Sequence, residues 1–79
     1  MRVIKEIPHP ACRISVFSWN GKYLIKLEQG PFEQTFKIDE LDLTSEEDID
    51  LILNEGFIKK GLDRFKGMFE DLSEAMKDI

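Results

Sequence analysis

The chain has 79 residues but only one cysteine and one histidine. A lone Cys12 excludes an intramolecular disulfide, and with His9 it supplies too few ligands for a zinc cluster. Glycine is missing where ion-binding loops need it: none falls between Gly30 and Gly56. The acidic run "DELDLTSEEDID" therefore lacks the central glycine and the ligand spacing of an EF-hand, and no metal is expected there. No glycine-rich loop leads into a helical pattern, so a phosphate cradle is also excluded. Long apolar runs are absent too, which leaves no candidate for a membrane-spanning helix. The opening "MRVIKEI" is too short and too charged to read as a secretory signal. A small domain with none of these features is expected in the cytoplasm.

Catalytic groups are equally sparse. A nucleophile needs a base within hydrogen-bond reach and a third group to orient that base. His9 lies between two prolines, and Cys12 opens a strand three residues later. No orienting group or oxyanion donor can be read beside them, so the expectation is an exposed loop histidine and a small buried cysteine. The chain is expected not to be an enzyme and to carry no cofactor.

What is present describes a folded domain. Forty-two per cent of the residues are hydrophobic and six are phenylalanine, which argues against disorder. A chain this short buries only about 60–65% of its unfolded surface, so its core is limited. The net charge is −5, which disfavours nonspecific attraction to nucleic acid or to an anionic membrane. The charge is segregated: residues 1–38 carry +3, 39–56 carry −8, 57–67 carry +3 and 68–79 carry −3.

The first half alternates as strands do. "RVIKEI" reads as a short strand ended by "PHP". "CRISVFSW" and "KYLIKLEQ" are two strands joined by Asn20-Gly21, the preferred pair for a two-residue reversal. Gly30-Pro31 marks a second turn into "FEQTFKI". A two-residue loop at Asn20-Gly21 sets Trp19 opposite Lys22, Phe17 opposite Leu24, Val16 opposite Ile25 and Arg13 opposite Glu28. One face then holds Ile14, Val16, Tyr23, Ile25 and Leu27, and this is the expected core face. The other holds Arg13, Ser15, Phe17, Trp19, Lys22, Leu24, Lys26 and Glu28, with Arg13 and Glu28 as a cross-strand pair. An even-numbered loop at Gly30-Pro31 adds Phe36 and Ile38 to the core face. An odd one would turn them over.

The second half has helical periodicity. "TSEEDIDLILNEG" opens on Thr44 as the expected N-cap with Glu47 three residues on, a capping-box spacing. Ile49, Ile52 and Leu53 make its inward stripe, and Gly56 is the expected stop. In "FIKKGLDRFKGMFEDLSEAMKDI" the residues Ile58, Leu62, Phe65, Phe69, Leu72, Met76 and Ile79 recur at alternating spacings of four and three. Gly61 lies inside this stripe, where a missing side chain permits close approach of a neighbour. The fold class is therefore α+β: an antiparallel meander of three or four strands, a short helix, and a long C-terminal helix packed on one sheet face.

Two surfaces ask for a partner. The last stripe is longer than a minimal sheet cover requires. Its charges also oppose its own dipole, with Lys59, Lys60, Arg64 and Lys66 early and Glu70, Asp71, Glu74 and Asp78 late. Two copies paired antiparallel would set each basic half against an acidic half. Packing on its own sheet would explain the same stripe. The sheet's second face carries Phe17, Trp19 and Leu24, a patch suited to docking. The expected role is thus a small protein-interaction module, a homodimer or a binder of another protein. Its contact residues are Phe17, Trp19, Leu24, Leu62, Phe65, Phe69, Leu72 and Met76. The alternative is single-stranded nucleic acid, with bases stacked on Phe17 and Trp19 and phosphates held by Arg13, Lys22 and Lys26.

Overall fold

Asn20 and Gly21 both take positive φ, 50° and 72°, as a type I′ reversal requires of its two central residues. In the computed structural model, which describes all 79 residues, this turn joins β2 (Arg13–Trp19) to β3 (Lys22–Gln29). The register is the one a two-residue loop dictates, with Trp19 facing Lys22 and Val16 facing Ile25. Gly30, at φ 57°, and Pro31 form a second two-residue loop into β4 (Phe32–Asp39). Phe36 accordingly faces Ile25, and Ile38 faces Tyr23. The N-terminal strand β1 (Arg2–Ile7) pairs with β2, so the sheet runs β1-β2-β3-β4 and is antiparallel throughout. A bulge between Val3 and Lys5 leaves Val3 opposite Phe17 and Lys5 opposite Val16.

Beyond β4 a single 3₁₀ turn at Glu40–Asp42 is capped by Asp39, whose carboxylate accepts from the Leu41 N–H at 3.0 Å. The helix α1 (Glu47–Ile52) is only six residues long. The expected capping box does not form. Ser45 and Glu46 make tight i→i+3 bonds to Asp48 and Ile49, so the helix starts later than Thr44 could cap it. Instead Asp48 reaches back, accepting from the Thr44 N–H at 2.8 Å and the Thr44 hydroxyl at 2.7 Å. These bonds to the ionised form hold the Asp48 carboxyl below its ordinary pKa.

Gly56 is not the stop that its residue type suggests. Asn54 supplies the stronger signal: its Oδ1 accepts from the Phe57 N–H at 3.0 Å and caps α2 (Glu55–Ala75), which places Gly56 inside the first turn. The helix therefore begins two residues before Phe57 and ends four residues before Ile79.

Ile14, Val16, Ile25 and Leu27 on the expected core face are buried, and Ile49, Leu53, Ile58 and Phe65 close over them from the helices. Tyr23, Phe36 and Ile38 pack at the margin. The α2 helix lies over β3 and β4. A Cβ on Gly61 would stand 2.7 Å from Leu27 Cδ1, so glycine is what lets the helix settle onto the sheet. Gln34 fastens that contact, donating from Nε2 to the Gly61 carbonyl at 2.8 Å while its Oε1 accepts from Arg64 Nε at 3.0 Å.

Candidate interaction surfaces

The strand under α2 runs out before the helix does. The Phe57 ring sits 5.0 Å from Phe36, Gly61 stands on Leu27 and Gln34, and Phe65 lies in the group around Gly30 and Phe32. From Phe36 to Phe32 the strand advances about 13 Å at ~3.3 Å per residue. From Phe57 to Phe65 the helix advances about 12 Å at 1.5 Å per residue. The two lengths match, so Phe65 stands over the end of β4, and Met68 and Phe69 follow against the core margin and the Gly30–Phe32 turn. The six residues of α2 after Phe69 project about 9 Å past the β3–β4 turn, and the molecule is drawn out to 48 × 25 × 19 Å.

The apolar stripe does not end with the sheet. Phe69 is 62% exposed, Leu72 45%, Met76 51% and Ile79 97%. A cavity of about 350 Å³ opens between Gly30–Phe32 and the Leu62–Phe69 turn of the helix. It continues the stripe onto the body of the domain. The four carboxylates of this tip, Glu70, Asp71, Glu74 and Asp78, have no cation within 4.0 Å. Of the contact residues expected on α2, Phe69, Leu72 and Met76 are therefore displayed and Leu62 is half-buried, whereas Phe65 is 1% exposed and belongs to the core.

This geometry also limits how two helices can pair. A full-length antiparallel pair would set basic halves against acidic halves, but Ile58, Gly61 and Phe65 of the basic half are buried. The stripe is free only at the tip, while the cations Lys59, Lys60, Arg64 and Lys66 remain exposed.

The sheet face away from the helices forms four cross-strand rows. Arg13, Glu28 and Glu33 make the outermost, followed by Glu6, Ser15, Lys26 and Thr35. Val3, Phe17, Leu24 and Lys37 make the third, and Trp19, Lys22 and Asp39 the last. The outer rows are ion-paired: Arg13 donates to Glu6 at 3.0 Å, and Lys26 lies 3.4 Å from Glu33. Arg13 thus turns to β1 and not to Glu28, its expected partner, and the Glu6 hydrogen bond raises its pKa further. In the inner rows Lys22 and Lys37 have no carboxylate within 4.0 Å. They flank Trp19, 46% exposed, and Val3, 56% exposed. Leu24, expected as a contact residue, is only 3% exposed between Phe17 and Lys37. Phe17 is half-buried, with the Lys26 ammonium 5.3 Å from its ring centroid.

His9 and Cys12 line an open cleft of about 630 Å³ at the end of the sheet. The His9 side chain is more enclosed than a loop histidine was expected to be, at 13% exposed, and Cys12 is half-buried. Nδ1 of His9 accepts from the Ala11 N–H at 3.1 Å and Nε2 lies 3.9 Å from Glu55. Burial pushes the Cys12 thiol up from its usual pKa, the reverse of the shift that activates a nucleophile. No three His, Cys, Asp or Glu side chains converge as metal ligands, and no helix is long and apolar enough to cross a membrane.

Comparison with protein-family models, curated proteins and solved structures gave no match.

Sequence reasoning missed Val3, the most exposed apolar group of the sheet face. Its place depends on the β1 bulge, which no residue type announces. It also grouped Leu24 and Phe65 with the displayed residues. Face parity alone could not show that their neighbours close over them.

Proposed function

We propose that this protein is a small interaction module that self-associates, with the projecting tip of α2 as its contact. The observation that carries the reading is the run of exposed Phe69, Leu72 and Met76, which continues the stripe from the edge of the Gly30–Phe32 cavity out past the β3–β4 turn. An isolated helical segment of this length has little stability of its own in water. Phe69 and Leu72 on it, and Met76 at its end, are about half in water and so forgo a share of the about 1.5–3 kcal/mol that full burial of each would give. A partner surface recovers that energy and holds the segment helical.

The contact is small. A tip about 9 Å long and about 10 Å wide falls below the ~800 Å² per partner of a standard stable interface, so association is weak and reversible, with a dimer as its first step. No cofactor and no catalytic step enters this reading, and the cytoplasm is its proposed setting. Sedimentation tests it: mass should rise above the 9.2 kDa of one chain with concentration. Phe69→Glu or Leu72→Glu should return it to that value with an unchanged far-UV spectrum. A wild-type chain that stays monomeric to about 500 µM, some −4.5 kcal/mol on the affinity scale, removes the proposal.

The unpaired Lys22 and Lys37 beside an exposed indole keep single-stranded nucleic acid as a second reading. It stands behind the first because Lys26 occupies the space over Phe17 and the net charge is −5. Salt-dependent quenching of Trp19 by oligonucleotides would support it, and no quenching at low salt would end it.

A further inference from the structure

The sheet has two edges, and they are not alike. β1 is short, bulged between Val3 and Lys5 and ended by Pro8, and each of these features discourages a further strand. β4 has none of them. It pairs with β3 over 8 residues without a bulge or an internal proline. Gln29 and Phe32 flank a two-residue loop, so they exchange both ladder bonds, and Gln34, Phe36 and Ile38 follow the same alternation. The N–H and C=O groups of Glu33, Thr35 and Lys37 therefore point outward in the plane of the sheet. No other group of the chain bonds them, and the three side chains are exposed.

We infer that two copies join β4 to β4, antiparallel about a two-fold axis at Thr35, and so make one continuous sheet. The inference rests on the self-association proposed above and completes its contact. The edge is self-complementary in this one register. With the axis at Thr35, Glu33 faces Lys37 of the second copy, Lys37 faces its Glu33, and Thr35 faces Thr35. Opposite charges and paired threonines both favour adjacent strands. Lys37, which has no carboxylate within 4.0 Å in the single chain, gains one. On the core side Phe32 comes opposite Ile38, and Gln34 opposite Phe36. Other axes do worse. At Glu33 or Lys37 like charges meet on the axis, and at Phe36 Glu33 meets Asp39. At Gln34 the Lys37 side chain meets Pro31, which has neither charge nor N–H.

The same axis brings the tip of α2 to the second copy. α2 runs antiparallel to its own β4, from Phe36 towards Phe32, and hence parallel to the β4 of the second copy. Beyond Asp39, which comes opposite Pro31, that strand leads into the 3₁₀ turn carrying Leu41, 92% exposed. Leu43 packs on the core cluster, so this turn leaves the strand on the side of the sheet that α2 covers. Tip and turn thus leave the joined sheet at the same end and on the same face. Phe69 and Leu72 of one copy gain Leu41 of the other as a neighbour. A two-fold contact uses the same surface on both copies, so growth stops at the dimer, whose outer edges are the guarded β1 strands.

Amide exchange reads the edge directly. As the wild-type chain is concentrated, the Glu33, Thr35 and Lys37 amides should exchange more slowly in step with the rise in mass. Thr35→Pro removes an N–H that β3 does not use, so the far-UV spectrum should be kept and the chain should stay monomeric. Glu33→Lys and Lys37→Glu should each associate several-fold more weakly than wild type. Mixed one to one they should regain wild-type strength, because one chain then presents two cations and the other two carboxylates. Leu72→Glu should lose the rise in mass and the amide protection together. Wild-type association with the three amides still exchanging freely overturns the edge contact and leaves the tip standing. So does a Thr35→Pro chain or an unmixed charge variant of wild-type strength, or a mixture that regains nothing. A Leu72→Glu chain that associates and protects the three amides overturns the tip and leaves the edge. A wild-type chain still monomeric at about 500 µM removes both.

Discussion

At the scale of single residues, chemistry follows from who accepts from whom. The Cys12 thiol, raised by burial, stays protonated at neutral pH. Iodoacetamide should alkylate it much more slowly in the folded chain than in the chain unfolded in urea. Equal rates would show that the cleft does not shield it. Asp48 shifts the other way. Its folded pKa is lowered by the two Thr44 bonds, so its stabilising effect is full above the unfolded aspartate pKa and is lost as pH falls through the folded value. Stability measured by denaturant should decline on that acidic limb, and less so in Asp48→Asn. Gly61 was legible in the sequence, because a glycine inside an apolar stripe has few other uses. The Thr44–Asp48 bond was not, since it depends on Ser45 and Glu46 delaying the helix by two residues.

At the scale of elements, α2 is one helix with two halves that do different things. Up to Phe69 it meets the sheet and the β3–β4 turn, and after Phe69 all its residues are exposed. Phe65→Ala should cost about 3–5 kcal/mol, a large share of the roughly 4–12 kcal/mol available to a domain of this length. Leu72→Ala should leave monomer stability within about 0.5 kcal/mol. Thermal melts at low concentration separate the two, and a large loss in Leu72→Ala would mean that the tip folds back onto the body. The strands were readable because two tight turns, Asn20-Gly21 and Gly30-Pro31, fix every register between β2 and β4. The helix junction was not, because Asn54 and Gly56 are two residues apart and both can end one helix or begin another. Periodicity shows that Ile58 through Ile79 share a face. It does not show where the supporting strand stops, which is a matter of counting residues along β4.

At the scale of the whole molecule, charge is unevenly shared. The open sheet face balances Arg13, Lys22, Lys26 and Lys37 against Glu6, Glu28, Glu33 and Asp39, whereas the end of α2 is acidic. The four charge blocks along the chain hinted at segregation. The fold was needed to show that the +3 of residues 57–67 is carried by the half of α2 seated on the sheet. That seating leaves the −3 of residues 68–79 as the charge the tip presents. The most direct measurement is sedimentation equilibrium of the unmodified chain, from about 10 µM to about 500 µM. A mass that climbs from 9.2 kDa towards twice that value is the expected result. A mass fixed at 9.2 kDa across the whole range would contradict the claim that the tip of α2 exists to be covered.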